Sequence, residues 1–254
     1  MDIDLRNKIA LVTGGSGQIG RTIVRTLASC GASMVINYFN KDEEKAKELL
    51  EELKALGTKA MIVNADVTEL DSVMVMKDKV NKILGDPEII VNNAYSRPKF
   101  LSIMDESLEE YENQFKSCVI QNVLMAKVFV PAMIKNRYGR IIAINTECIG
   151  LNEPEQSAYV SGKKGMDGLL RVLAKEVGEY QITVNQVAPG WTITERDRPK
   201  GSEREKIYEN RVILKRRGTD QEVANVVSFI ASNLASFITG AYIPVSGGIV
   251  MPAV

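Results

Sequence analysis

The chain has 254 residues, of which 45% are hydrophobic and 25% charged, with 32 basic and 32 acidic side chains. This length and composition predict one globular domain with a sizeable core. The balanced charge gives no electrostatic support for binding nucleic acid or an anionic membrane. The chain has no histidine, which excludes a Ser-His-Asp triad and a His-ligated metal site. Any general acid or base must therefore be Tyr, Lys, Asp, Glu or Cys.

The cysteines and the N-terminus indicate the compartment. Cys30, Cys118 and Cys148 are far apart and form no CxxC pair, which is typical of reduced thiols in a cytoplasmic protein. The first six residues alternate in charge and carry no apolar core, so no signal peptide is expected. No apolar stretch approaches the roughly 20 residues of a membrane span. We therefore expect a cytoplasmic protein.

Short runs rich in β-branched residues alternate with longer segments of helical period. Continuously apolar runs predict strands buried on both faces of a parallel sheet. About seven occur, at 9–12, 34–36, 61–63, 89–91, 141–144, 183–187 and 241–243. The alternation predicts an α/β fold, a doubly wound sheet in a single domain over 1–254. Residues 190–217 are polar and weakly periodic, and we expect a mobile loop or short helices there that form a substrate loop.

A glycine-rich turn follows the first strand. Residues 13–20 read Thr-Gly-Gly-Ser-Gly-Gln-Ile-Gly and open a helical stripe. Glycines let the backbone approach a pyrophosphate, and a helix N-terminus favours the anion. The turn predicts dinucleotide binding by Gly14, Gly15, Ser16, Gly17, Gln18, Ile19 and Gly20.

The end of the second strand bears on the choice of cofactor. Sites for NAD usually place a carboxylate about 20 residues after the turn, against the ribose 2′-hydroxyl. Residues 36–41 contain none, and Lys41 or Arg21 can neutralise a 2′-phosphate. We expect NADP(H) to be preferred, with NAD(H) the alternative, and Tyr38, Asn40 and Lys41 to lie beside the cofactor.

Tyr159 and Lys163 stand at i and i+4 of a predicted helix, one turn apart on one face. A nearby ammonium lowers the pKa of a phenol. The pair thus predicts a Tyr acid or base, which a chain without histidine needs. The alternative is a surface pair on an amphipathic helix.

Seven motifs in order along the chain resemble the short-chain dehydrogenase/reductase family, and above all its single-domain 3-oxoacyl-carrier-protein reductase-like members. They are the turn at 13–20, Asn64-Ala65-Asp66-Val67, Asn92-Asn93-Ala94, residues 139–142, Tyr159 with Lys163, residues 184–190, and residues 238–240 with 246–248. The resemblance implies a Rossmann-type sheet that binds NAD(P)(H).

Site roles follow from the resemblance, position by position. It implies that Tyr159 exchanges a proton with the substrate oxygen, that Lys163 lowers the pKa of Tyr159 and holds the nicotinamide ribose, and that Thr146 takes the place of the catalytic Ser. The cofactor contacts it implies are Asp66, Val67, Asn92, Ala94, Pro189, Gly190, Thr192, Ile193 and Thr194, with Ile193 contributing through its backbone.

Four positions depart from the family pattern. Gln18 fills a glycine position and Gly17 supplies the glycine one residue earlier, a spacing found in the larger, epimerase-like branch. Tyr95 replaces the glycine after Asn92-Asn93-Ala94, and Thr146 replaces Ser. Cys118 falls where the family places the Asn of its catalytic tetrad. Cys118 is either the tetrad residue here or a plain core cysteine, and Asn122, one turn later, is a possible substitute.

Several functions remain open. The first is NADP(H)-dependent reduction of a ketone or 3-oxoacyl group, or oxidation of the corresponding alcohol. The others are a non-catalytic, regulatory NAD(P)-binding homologue and a sugar dehydrogenase or epimerase-like enzyme. Arg137 matches one basic position used to dock an acyl carrier, whereas Tyr180 stands where a second is expected. The resemblance also implies a homotetramer or homodimer, with the helices around 108–135 and 157–178 at the interface.

Overall fold

A computed structural model describes residues 2–251, apart from the side chain of Lys41. Seven parallel strands form one sheet in the order β3-β2-β1-β4-β5-β6-β7. They are β1 (Ile9–Val12), β2 (Ser33–Tyr38), β3 (Ala60–Asn64), β4 (Ile89–Asn92), β5 (Gly139–Ile144), β6 (Ile182–Pro189) and β7 (Tyr242–Val245). The predicted doubly wound sheet is confirmed, and each predicted apolar run overlaps a strand.

Nine helices of the described chain connect and cover the strands. They are α1 (Gln18–Ser29), α2 (Glu43–Ala55), α3 (Leu70–Ile83), α4 (Leu108–Phe115), α5 (Gln121–Asn136), α6 (Cys148–Leu151), α7 (Ser157–Val177), α8 (Glu203–Arg211) and α9 (Asp220–Ala231). Side chains of α1, α2 and α9 form the core on one face of the sheet. Side chains of α3, α5 and α7 form the core on the other. Burial on both faces explains why the strand runs are continuously apolar rather than alternating.

A π-helical turn at Lys116–Ile120 joins α4 to α5, so that Leu108–Asn136 is one continuous helix. By length and composition this 29-residue helix is apolar enough to cross a membrane, contrary to our expectation from the sequence. More than half of its most apolar window, 56%, is buried inside the protein, as in the core helix of a globular domain.

Residues 190–217, here called the substrate segment after the substrate loop that the sequence predicts, contain one short helix, α8, as the sequence allowed. Its start is fixed by a capping box, in which Ser202 accepts from the amide of Glu205 while the Glu205 side chain accepts from Ser202. The segment ends at Arg217, whose side chain is wholly buried.

The order of strands positions the site. The chain turns back at β1, so that β2 and β3 lie on one side of it and β4 to β7 on the other. In such sheets ligands bind beyond the carboxyl ends of the strands at this reversal. The glycine-rich turn after β1 and Asn92 at the end of β4 both lie there.

Candidate active site

The glycine-rich turn forms a cradle that side chains would fill. Gly14 has a φ of +58°, and a Cβ there would lie 3.1 Å from the Cα of Ala94. A Cβ on Gly20 would lie 2.3 Å from the carbonyl oxygen of Gly14. The N-cap of α1, Gly17, has no side chain to cap the helix, and the first turn carries no acidic residue. The amides at this helix end therefore remain available to an anion, and the turn fits a pyrophosphate.

Polar side chains hold the turn in place. Asn37 of β2 is buried and accepts from the amide of Gly14 at 3.2 Å, while its Nδ2 donates to Ala65 at 3.0 Å. The Thr13 hydroxyl accepts from the amides of Asn93 and Ala94 at 2.9 and 3.0 Å. Sequence reasoning missed Asn37, because a polar residue inside an apolar run gives no sign of its partners.

A cavity of about 380 Å³ opens beside the turn, lined by Ser16, Gln18, Arg21, Glu44, Lys45, Glu48, Glu195 and Arg196. Gln18 contacts the hydroxyl of Thr194, and Arg21 pairs with Glu195 at 2.9 Å. The buried Nε of Arg21 has no partner. Arg21 therefore lies where an anionic group can reach it, Lys45 and Arg196 are further cations here, and the role of Arg21 toward a 2′-phosphate stays a prediction. The side chain of Lys41 lies outside the described part of the structure.

The remaining predicted adenosine contacts lie at the carboxyl ends of β2 and β3. Tyr38 and Val67 are buried, and Asn40 is exposed with a φ of 52°. The carboxylate of Asp66 accepts from the amide and the hydroxyl of Thr68 at 2.9 and 2.7 Å. Asp66 thereby fixes the loop after β3, and its role toward a cofactor stays a prediction.

The predicted cofactor contacts after β6 differ in whether their polar groups are already hydrogen-bonded within the protein. Pro189 ends the strand, and the buried Thr192 donates its hydroxyl to the carbonyl of Gly190 at 2.9 Å. The amide of Ile193 donates to Gly218 at 2.7 Å. The expected backbone contact from Ile193 to a nicotinamide is therefore engaged within the protein, whereas Thr194 faces the turn through Gln18.

Tyr159 and Lys163 of α7 meet Thr146, which follows β5. Lys163 is buried and donates to the carbonyl of Ile144 at 2.7 Å. Its ammonium lies 6.0 Å from the centre of the Tyr159 ring and 5.9 Å from that of Tyr95. Phe100 packs edge-on against Tyr159, with ring centres 6.4 Å apart. The structure thus brings together the three residues that the sequence placed at the centre of the chemistry.

The electrostatics differ from the sequence expectation. We expected Lys163 to lower the pKa of Tyr159, but burial raises this pKa, and the neighbouring Thr146 side chain offsets that rise only in part. Burial lowers the pKa of Lys163. Both shifts have one cause, because a dry environment disfavours the charged form of either group. Tyr159 is therefore protonated near neutral pH and ready to donate a proton.

Cys118 is wholly buried in the core of the π-helical turn. Its carbonyl accepts from Nδ2 of Asn122 at 2.7 Å, and Oδ1 of Asn122 accepts from Asn92 at 2.7 Å. Asn122 thus links β4 to the turn, while Oδ1 of Asn92 is buried without a partner. Cys118 packs as a core residue.

A further polar group adjoins the site, and the sequence gave no sign of it. Glu147, next to Thr146, is buried and accepts from the hydroxyl of Tyr208 at 3.0 Å. That hydroxyl accepts from the amide of Trp191 at 2.8 Å. Burial raises the pKa of Glu147 to about 7. From the other side, Tyr242 of β7 donates to the carbonyl of Thr146 at 2.7 Å.

Comparisons with known proteins agree with this geometry. A family model described as enoyl-(acyl carrier protein) reductase matches residues 15–250. The 3-oxoacyl-(acyl-carrier-protein) reductase of Staphylococcus epidermidis is 34% identical over 96% of this chain and 100% of its own length. Those of Pseudomonas aeruginosa and Aquifex aeolicus are 34% and 35% identical over 98% of this chain, and over 100% and 99% of their own lengths.

Solved structures match over nearly the whole chain. A blue fluorescent protein from a metagenomic library, in complex with NADPH, has a TM-score of 0.90 and 29% identity, and the match covers 98% of this chain and 100% of that one. A Serratia marcescens short-chain dehydrogenase/reductase mutant has a TM-score of 0.89 and 27% identity, with coverage of 96% and 98%. With this fold, these motifs and these relatives, the chain belongs to the short-chain dehydrogenase/reductase family of oxidoreductases.

Proposed function

We propose that this protein is an NADPH-dependent reductase that converts the ketone of a 3-oxoacyl thioester, or of a similar apolar substrate, into an alcohol. One observation carries the proposal. The hydroxyl of Thr146 lies near enough to the phenol of Tyr159 to influence its pKa at the carboxyl edge of the sheet, and the ammonium of the buried Lys163 lies 6.0 Å from the centre of the Tyr159 ring. Two hydroxyls at one point suit a carbonyl oxygen, which accepts two hydrogen bonds.

The glycine cradle and the N-terminus of α1 would hold the pyrophosphate of the cofactor. Arg21 and Lys45 face the adjoining cavity, where a 2′-phosphate adds negative charge. The described end of β2 presents no carboxylate to repel it. Glu44, Glu48 and Glu195 also line the cavity, together with the cations Arg21, Lys45 and Arg196. When bound, NADPH supplies the hydride. We expect NADPH to bind at least about tenfold more tightly than NADH, and equal or tighter binding of NADH in a titration would refute the preference.

The protein's own residues handle the proton. The hydroxyl of Thr146 donates to the carbonyl oxygen and polarises the C=O bond. Tyr159 then gives its proton to the alkoxide oxygen that forms, which is a far stronger base than a phenolate. Lys163 stabilises the resulting phenolate charge through the low-dielectric site. Cys118 belongs to this site by family position only, and we assign it no proton transfer.

The loop that follows β4, at the entrance to the site, favours an apolar substrate. Tyr95, Phe100, Leu101 and Ile103 are all exposed on the loop that follows β4, and Phe100 contacts Tyr159 directly. Of the two basic positions expected to dock an acyl carrier, only one carries a cation, Arg137, because Tyr180 occupies the other. The guanidinium of Arg137 lies 6.0 Å from the ring centre of Tyr180 and donates to Glu179 at 2.7 Å. We therefore place an acyl thioester ahead of the complete carrier protein as the minimal substrate.

The test is NADPH oxidation over a panel of 3-oxoacyl thioesters, diketones, keto-sugars and 2-enoyl thioesters. Tyr159→Phe should lower turnover by about 10²-fold or more, the scale of a lost general acid. Tyr138→Phe is the matched control, because that hydroxyl bonds Asn233 at the opposite edge of the sheet. Turnover of enoyl thioesters alone would overturn carbonyl reduction. Tight NADPH binding without turnover of any ketone would support the non-catalytic alternative.

Assembly and location belong to the same proposal. Helices α4 and α7 leave Leu108, Phe115 and Val172 more than half exposed, and such a surface suits a second copy of the chain. We expect a cytoplasmic homotetramer or homodimer. A monomer by light scattering would refute the assembly.

A further inference from the structure

We propose that Glu147 is a positioning residue, and that its protonated form holds the substrate segment closed against the catalytic segment that carries Thr146. The kinetic consequence rests on the proposed function, whereas the closure itself does not. Glu147 follows Thr146 directly in the chain. A displacement of the Glu147 side chain therefore shifts the backbone next to the hydroxyl of Thr146.

The contact between Glu147 and Tyr208, here called the clasp, joins the substrate segment to the segment that carries Thr146. Glu147 is 5% exposed, and its Oε2 accepts from Tyr208 of α8 at 3.0 Å. The same hydroxyl accepts from the amide of Trp191 at 2.8 Å. One phenol therefore ties α8 and the start of the substrate segment to the residue beside Thr146. No other described hydrogen bond or ion pair joins α8 to residues 146–148.

Gly190 makes the close approach possible. A Cβ at this position would lie 2.6 Å from Oε2 of Glu147 and 2.6 Å from the hydroxyl of Tyr208. The backbone of the substrate segment thus passes directly over the bond between the two side chains. This leaves no room for water beside the carboxyl group on that side.

The surroundings decide which charge state favours closure. Tyr208 and Arg211 of α8 face Glu147, as do Cys148 on its own segment and Tyr242 of β7. Arg211 is paired with Glu153, and burial raises the pKa of Tyr208, Tyr242 and Cys148. Burial also raises the pKa of Glu147 to about 7, despite the bond from Tyr208. Because the closed arrangement binds the proton more tightly than a solvated carboxyl does, protonation favours closure and ionisation favours opening.

Trp191 provides a readout that needs no turnover, since it is the only tryptophan in the chain. Its ring packs edge-on against Tyr208 at 5.4 Å and lies 4.2 Å from the guanidinium of Arg217. We would follow its fluorescence in the free enzyme from about pH 5.5 to about pH 8.5. We expect a one-proton transition near neutrality in the wild type and none in Glu147→Gln.

Glu153→Gln is the matched control, because this carboxylate lies nearby, pairs with Arg211 and makes no bond to Tyr208. It should keep the wild-type transition. Tyr208→Phe should make the substrate segment several-fold more sensitive to protease than the wild type below neutral pH, where the wild-type segment is closed. A wild type without a transition would overturn the proposal, and so would a Glu147→Gln variant that keeps the wild-type midpoint.

Kinetics extend the test to the reaction. In the wild type the KM for the ketone should rise several-fold above neutral pH, because only the closed fraction binds substrate productively. In Glu147→Gln the KM should be independent of pH over the same range, with a similar kcat. If no ketone is turned over, the fluorescence result still stands, so failure of the proposed function and failure of the clasp are distinguishable.

Discussion

Arg217 organises the substrate segment, and its replacement by methionine tests how firmly the segment is held. The side chain is wholly buried, pairs with Glu205 at 2.8 Å and with Asp197 at 2.7 Å, and donates to the carbonyls of Trp191 and Thr192. Methionine keeps most of the apolar stem but none of the donors. Breaking a buried ion pair from one side costs about 3–5 kcal/mol. We expect Arg217→Met to destabilise the closed segment by about this amount.

Hydrogen exchange of residues 190–217, together with urea unfolding, measures the loss. If the segment opens by itself, its amides lose protection while the sheet keeps its own. Arg216→Met is the matched control, since this neighbouring arginine is exposed and pairs only with Glu222 at the surface. It should change neither measurement appreciably. An Arg217→Met variant with wild-type exchange throughout the segment would refute the reasoning.

Three further predictions concern the site and its rim. Cys118→Asn should leave turnover unchanged or raise it, because the thiol packs in the core, and a loss beyond about tenfold in kcat/KM would give Cys118 a role of its own. Glu195→Gln should tighten NADPH binding several-fold in a fluorescence titration, because the Glu195 carboxylate competes with cofactor phosphate for Arg21; unchanged affinity would contradict this. The raised pKa of Glu147, about 7 against 4.5, means that its protonated form stabilises the fold below about pH 4.5 and that this stability is lost as the pH rises through 7. Relative to Glu147→Gln, the wild type should lose about 3 kcal/mol in urea unfolding across that window, and parallel pH profiles would contradict the assignment.

The fold was predictable because a parallel sheet leaves a strong pattern. Strands buried on both faces are continuously apolar, and β1 at Ile9–Val12 coincides with the run seen in the sequence. Tyr159 and Lys163 were predictable for a similar reason, since i, i+4 spacing on a helix fixes their proximity. The glycine-rich turn could be recognised from the strand that precedes it and the helix that follows it.

The parts that could not be predicted depend on distant partners. Glu147 and Tyr208 are separated by 61 positions, and Arg217 and Trp191 by 26, so no local period connects them. The π-helical turn at Lys116–Ile120 leaves no signature in a helical stripe. The pKa of Tyr159 was expected to fall because the sequence shows its neighbour Lys163 but not the desolvation of the phenol, which raises the pKa.

The narrow space above Gly190 has a consequence for how this sequence can diverge. Any side chain at position 190 would collide with both Glu147 and Tyr208, each at 2.6 Å. A larger residue there requires the ends of the Glu147 and Tyr208 side chains to move apart, or one of these two residues to become smaller. Among homologues, we therefore expect these three positions to covary. A glutamate at 147 paired with an aromatic residue at 208 should occur only on a background that keeps glycine at 190.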